Sequence, residues 1–370
     1  MNLNKLFKVF LIIGLAMVLI SPGVNAINIG GQAELNLKYN IDNNSFTETI
    51  KFSPYLRSWL GADSYFESEI NFILKAQELD YNLEKLQLTY YGLNTDFIIG
   101  LQEVNWGAVD GNSPVDNINP RDYRRAGFSN EKVPVPAFRL KNYQQSFELD
   151  LVWQPVFVPA RLPDIQENSL VKEDLENSLR NSTLGLRLTR STPDYDLGAS
   201  IYRGPSGRPV PVIDDFSNEI VLKYYIETVL GAEAVVELGS SIIRTDIAIA
   251  LPESGEFLPD NMFRYALSLE RNLSPDIFIL AGFHGEIESG SAGENYLFIN
   301  GDYQIDFYRN IDITAIYETD TGDYLLRPSF SYNLTDGVNL EAGALLSGGN
   351  DKSYNMNLDN QVYLKTTMSF

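Results

Sequence analysis

From Gln32 to the last residue the chain repeats one pattern: apolar and polar side chains alternate over segments of about 10–13 residues. Ala33, Leu35, Leu37 and Tyr39 alternate with Gln32, Glu34, Asn36 and Lys38. Phe147, Leu149, Leu151 and Trp153 alternate with Glu148, Asp150 and Gln154, and Ile311, Ile313, Ala315 and Tyr317 flank Asp312, Thr314 and Glu318. A period of two puts each set on one face of a β-strand. After Ala26 no stretch offers 18 consecutive apolar residues, so a helical membrane span is excluded there. A soluble sandwich has the same period, and length separates the two. The segments exceed the ~5–6 residues of ordinary globular strands and match the ~9–11 of a tilted strand crossing a bilayer.

Turn signals alternate between short and long. Gly61-Ala62-Asp63, Leu93-Asn94, Thr192-Pro193-Asp194, Ser274-Pro275 and Thr335-Asp336-Gly337 are short, whereas 204–218, 252–261, 288–295 and 349–358 are long. Short turns at one end and long loops at the other predict an all-β fold, a transmembrane antiparallel up-and-down β-barrel. Period alone marks seventeen strands, an odd number that a bacterial single-chain barrel does not use. The alternation goes out of phase only between 103 and 145. We therefore assign a hidden strand to 133–141, turning through Asn142-Tyr143-Gln144 into 145–154, although its prolines remove ladder donors. The count becomes eighteen, with sixteen as the alternative. Segments 104–132 and 155–182 become the two longest loops, and 164–181 has enough helical character to predict a short loop helix.

At the N-terminus, Lys5 and Lys8 precede the apolar run Val9–Ile20, then Ser21-Pro22-Gly23 and Val24-Asn25-Ala26. A basic region, a short apolar core and a small-residue site predict a cleaved signal peptide over 1–26. The mature domain is then 27–370, and losing two lysines takes the net charge from −21 to −23. At the other end Phe370, Met368, Thr366, Leu364 and Val362 share one strand face. A terminal aromatic closing an amphipathic strand resembles the signal by which outer-membrane barrels are recognised for assembly, with Phe370, Met368 and Leu364 as its carriers. The partners this implies are outer-membrane lipids, the barrel-assembly machinery and periplasmic chaperones.

Composition removes other classes. With 28 Lys+Arg against 49 Asp+Glu the chain lacks the basic footprint of a nucleic-acid binder. Zero cysteines and one histidine exclude disulfide frameworks, thiolate zinc sites and paired-imidazole metal sites. No metal, no cofactor and no catalytic residue is expected. A membrane-embedded hydrolase would have to use His284 as its only imidazole, and no D-x-D-x-D-G calcium loop is present.

In a membrane barrel the polar face lines the interior. That interior would carry Arg139, Arg187, Arg244 and Arg327, with several lysines, against a nearly equal set of carboxylates including Asp150 and Asp246. Two readings stay open: charge ladders that select solutes, or cross-strand pairs that brace the wall. The near balance argues against a strongly anion-selective pore. Loop 104–132 sets Arg121, Arg124 and Arg125 against Asp110, Asp116 and Asp122. Folded inward it would form a charged constriction; otherwise it is a surface loop with ordinary turn chemistry.

Gln102-Glu-Val-Asn-Trp-Gly107, Asp110-Gly111 and Asn117-Ile-Asn-Pro-Arg-Asp122 resemble an uncharacterised family of bacterial outer-membrane barrels with a Trp-Gly, Asp-Gly, Asn-Pro-x-Asp loop signature. Asp150-Leu-Val-Trp-Gln-Pro155, Asp323-Tyr-Leu-Leu-Arg-Pro-Ser-Phe330 and Asp336-Gly337 extend the likeness over most of 95–370. The family is similar to porins and alginate-export-type channels, though this chain lacks the dense arginine ladder that a polyanion would need. The expected protein is a non-enzymatic outer-membrane channel for small hydrophilic solutes, monomeric or trimeric. The alternatives are a transporter of hydrophobic compounds or polysaccharides, an embedded hydrolase, and a structural anchor.

Overall fold

A computed structural model describes residues 24–76, 78–124, 131–162, 170–173, 175–213, 220–253, 258–288, 293–349 and 358–370. The strands are β1 (Val24–Asn40), β2 (Ser45–Leu60), β3 (Ser64–Lys75), β4 (Glu78–Tyr91), β5 (Thr95–Gln102), β6 (Val135–Gln144) and β7 (Phe147–Gln154). Next come β8 (Leu170–Glu173), β9 (Thr183–Ser191), β10 (Tyr195–Pro205), β11 (Val210–Ile213), β12 (Ile220–Lys223), β13 (Ile226–Leu238) and β14 (Ser241–Pro252). The series ends with β15 (Met262–Ser274), β16 (Ile277–Glu288), β17 (Asn295–Gln304), β18 (Arg309–Glu318), β19 (Tyr324–Thr335), β20 (Val338–Gly348) and β21 (Gln361–Ser369).

Eighteen of these form one sheet in which each strand pairs antiparallel with its neighbour along the chain, and β1 closes on β21 from Gln32↔Ser369 to Asn40↔Gln361. The sheet is therefore a closed barrel with no free edge. All eight connections at one end, such as 61–63, 145–146 and 336–337, are four residues or shorter, whereas the long ones, 103–134, 155–182 and 206–225, gather at the other. The strand hidden by prolines is β6, paired with β5 and β7. Its turn falls two residues later than expected. Asn142 and Tyr143 stay in the ladder opposite Leu149 and Glu148, and Gln145 takes the positive φ of 50°.

Two loop expectations change. Leu170–Glu173 is extended, pairing parallel with β12, which pairs with β11 in a separate three-stranded sheet. Of the helix predicted over 164–181, residues 164–169 and 174 lie outside the described residues, and in the described part the only helical turn is the 3-10 turn Leu179–Asn181, capped by Ser178. Likewise the long loop expected over 204–218 runs further: Ile220–Lys223 pairs in the loop sheet and not in the barrel, and β13 starts at Ile226.

Register carries one face around the wall. Asp246 lies opposite Ala266, Ala266 opposite His284, His284 opposite Tyr296 and Tyr296 opposite Glu318. This polar face points inward. The other face presents large apolar side chains, among them Phe52, Phe97, Ile99, Leu186, Ile249, Phe263, Leu297, Leu364 and Met368, all exposed. A sheet bearing its apolar side chains outward inverts a soluble barrel and suits hydrocarbon surroundings. The main buried cluster lies inside, where Val104, Trp106, Val115 and Ile118 meet Val135, Ala137, Val152, Val229, Ala248 and Ala250 of the wall.

Candidate functional site: a lumen segment fastened to the wall

The cluster exists because segment 103–124 turns into the barrel. Its first residues continue the alternation of β5. Gln102, Val104 and Trp106 are buried against the wall, and Glu103 and Asn105 are exposed. Small residues on the wall make room. A Cβ on Gly185 would overlap Trp106 and Ile118, and one on Gly231 would overlap Val115. Gly107, at φ 97°, occupies the left-handed region, and a side chain there would collide with Ser113 and Asp246.

Wall carboxylates hold the segment, Glu233 through the Gly107 amide and two others more fully. Trp106 Nε1 donates to Asp150 Oδ2 at 2.9 Å, and Arg139 binds the same carboxylate through Nε at 2.8 Å and Nη2 at 2.6 Å. The amide of Ala108 donates to both oxygens of Asp246 at 3.0 Å, and that of Val109 to Oδ2 at 2.9 Å. Asp246 is fully buried. A buried carboxylate needs such donors, because desolvation without them is costly.

Polar side chains within the segment fix its own path. Asn119 Oδ1 accepts from the Val104 amide at 2.7 Å, and its Nδ2 donates to the carbonyls of Val133 at 2.9 Å and Gln102 at 3.2 Å. Lys132 pairs with Asp116 and donates to the Val104 carbonyl at 2.9 Å. Burial pulls the Lys132 ammonium below its ordinary range, a shift that the neighbouring Asp116 carboxylate opposes. Arg124 Nε and Nη2 donate to Asp122 at 2.9 and 2.7 Å, and Arg161 Nη1 joins at 3.3 Å. Burial pushes the Asp122 carboxyl up, but its hydrogen bonds from Arg124 and Arg161 outweigh this and hold it below the usual carboxylate range. Backbone bonds Tyr123 N→Arg161 O at 2.7 Å and Arg161 N→Arg121 O at 3.1 Å tie this end to the 155–162 stretch.

The residues singled out in the loop separate into anchors and tip. Asp116 and Asp122 are anchors, and Arg124 serves Asp122. Asp110 is exposed at the tip, where Asn112 Nδ2 lies 3.0 Å from His284 Nε2 and Arg121 reaches the Gly111 carbonyl at 3.5 Å. Arg125 lies outside the described residues. On the wall, Arg139 is clamped by Asp150, and Arg187 crosses β10 to Glu233, over Gly198, where a Cβ would strike that carboxylate. Arg244 binds Glu270 at 2.7 and 3.0 Å, and Arg327 stands 4.0 Å from Asp312. Most of these contacts are cross-strand braces. Sequence reasoning missed Lys132, Gly185 and Gly231; the alternation of Val104 and Trp106 running on past β5 was the available signal. Phe370, Met368 and Leu364 all face outward; Phe370 stacks on Phe52 (5.5 Å, 8°) and exchanges backbone hydrogen bonds with Gly31.

No family model matches the chain, and no curated protein does. Solved structures do. It is similar to OccK11 (OpdR) of Pseudomonas aeruginosa, with TM-score 0.58 and 10% identity over 93% of this chain and 95% of that one. It is similar to OccK5 (OpdH) of the same organism, with TM-score 0.58 and 9% identity over 94% and 98%. A loop-deletion form of OmpT, an outer membrane protein of Vibrio cholerae, gives TM-score 0.50 and 10% identity over 93% and 99%. At such identities the likeness is one of fold, that of a porin-like barrel.

Proposed function

We propose that this protein is an outer-membrane channel for small hydrophilic solutes and that segment 103–124 narrows its lumen. The observation that carries the reading is the fastening of that segment to the inner wall by Asp150 and Asp246, under a barrel whose outer face is apolar. A surface loop has no need of buried carboxylate anchors inside the barrel. With the wall arginines committed to carboxylates, solutes meet mainly the exposed groups of the segment, Glu103, Asn105, Asp110 and Asn112, and the polar faces of β17–β21 and β1–β4.

The chain is exported by its first 26 residues in this reading, and the unbroken β1 ladder with β2 begins at Ile27, where the register shifts. Lipids, the assembly machinery and periplasmic chaperones are its partners, as a monomer or a trimer. We take it as non-enzymatic, with His284 placed against the tip of the lumen segment, bonded to Asn112 and stacked on Tyr296 (5.1 Å). The test is conductance of the full chain folded into planar bilayers. Discrete channel steps support the reading, and a tightly inserted protein that passes no current overturns it.

A further inference from the structure

At the short-turn end of the barrel three large rings lie on the inner face. Register fixes the side: Arg57 lies opposite Glu67, Glu67 opposite Gln87, Gln87 opposite Gly100, and Gly100 opposite Ala137, which packs within the inner cluster. Two residues further along, Trp59 lies opposite Tyr65 and Tyr65 opposite Thr89. Tyr91, two residues past Thr89, shares the face. Trp59 stands 5.0 Å from Tyr65 and 5.7 Å from Tyr91, tilted by 53° and 40°. Trp59 is 43% exposed and Tyr91 40%. These are not lipid-belt aromatics; that role at this height falls to Tyr90 and Phe97 on the opposite face, 6.5 Å apart. Exposed rings on a wetted surface mark an interaction site.

We propose that Trp59, Tyr65 and Tyr91 form a saccharide-binding platform at this mouth of the channel; the inference rests on the channel reading. Neither tyrosine stacks flat on the indole, and Trp59 keeps 43% of its surface exposed. Neither phenol nor the indole N–H has a hydrogen-bond partner among the described residues. Next along the wall stands a planar polar group. Glu67 takes Arg57 at 3.2 Å, Gln87 at 3.0 Å and Lys85 at 3.8 Å, while Arg57 lies 4.2 Å over the Tyr55 ring. A sugar ring matches both parts, with its C–H face on the indole and its hydroxyls on the phenols and on the Glu67 group. A purely hydrocarbon solute would strip water from those ion-paired groups without replacing its hydrogen bonds.

Maltotriose added to the full chain in planar bilayers is the probe. The expected result is a saturable fall in ion current, with Trp59→Ala raising the half-blocking concentration about tenfold, the loss of roughly one ring contact. Phe97→Ala, on the outer face, should block like the parent. Heat-modifiable gel mobility verifies that each variant folds, and Tyr91→Ala substitutes if Trp59→Ala does not. Unchanged current at saturating maltotriose, cellotriose and chitotriose overturns the platform, as does Trp59→Ala blocking like the parent. A parent protein without conductance fails the channel reading instead. Indole fluorescence of the folded protein then decides the platform: a saccharide-dependent change lost in Trp59→Ala supports it, and no change overturns it.

Discussion

Asp246 shows how much one side chain holds in this fold. It is fully buried and accepts amide hydrogen bonds from Ala108 and Val109, so Asp246→Ala orphans two donors at about 1–3 kcal/mol each. The barrel has its own ladders, so the cost should fall on the lumen segment. The expected phenotype is a noisier and larger single-channel conductance with unchanged heat-modifiable mobility; parent-like noise would deny the anchor. Asp122 gives the pH counterpart. Its folded carboxyl titrates below the ordinary range, so the tether to Arg124 and Arg161 is at full strength above the unfolded value and is lost as pH falls through the folded one. Current noise should rise in that acidic window, and Asp122→Asn should show the same noise already at neutral pH.

At the scale of elements, strands were readable because a membrane barrel repeats one requirement, lipid on one side and polar groups on the other, at every second residue. β6 escaped the period because Pro134 and Pro136 interrupt its start, and only the need for an even count exposed it. The 164–181 segment failed for another reason. Its helical pattern is local, while pairing with Ile220–Lys223 is a long-range contact that no local pattern records. The lumen segment was half legible. Trp106 and Asp122 stand in a distinctive run, but their partners Asp150 and Arg161 come from later in the chain, and nothing local marks the Ala108 and Val109 amides as donors to Asp246. The seam carries the prediction for this scale. The Phe370 backbone closes on Gly31 at 3.0 and 3.1 Å and its ring covers Phe52. Deleting Phe370 removes both contacts from the pairing that closes the barrel, and the heat-modifiable fraction should fall sharply; an undiminished fraction would remove its role in assembly.

Across the whole molecule, a net charge of −21 coexists with an interior whose cations are mostly spoken for. Arg139, Arg187 and Arg244 each hold a carboxylate, and Lys365 holds Glu341 at 2.6 Å. A guanidinium paired in this way offers little field to a passing anion, whereas Asp302 and Asp312 face each other directly across β17 and β18, with Asp302 accepting from Asn310, Asp312 accepting from Asn300, and Arg327 no nearer to Asp312 than 4.0 Å. Under a KCl gradient the reversal potential should therefore be near zero or of the cation-preferring sign, and a strongly anion-selective potential would contradict the wall as drawn. The same geometry says how to reverse it. Glu233→Gln leaves Arg187, whose side chain is 17% exposed, without its counter-charge, at a cost on the order of 3–5 kcal/mol for a broken buried pair. The reversal potential should move toward anions and thermal unfolding should come earlier. If stability drops while selectivity stays fixed, the Arg187–Glu233 pair braces the wall without shaping the field that solutes cross.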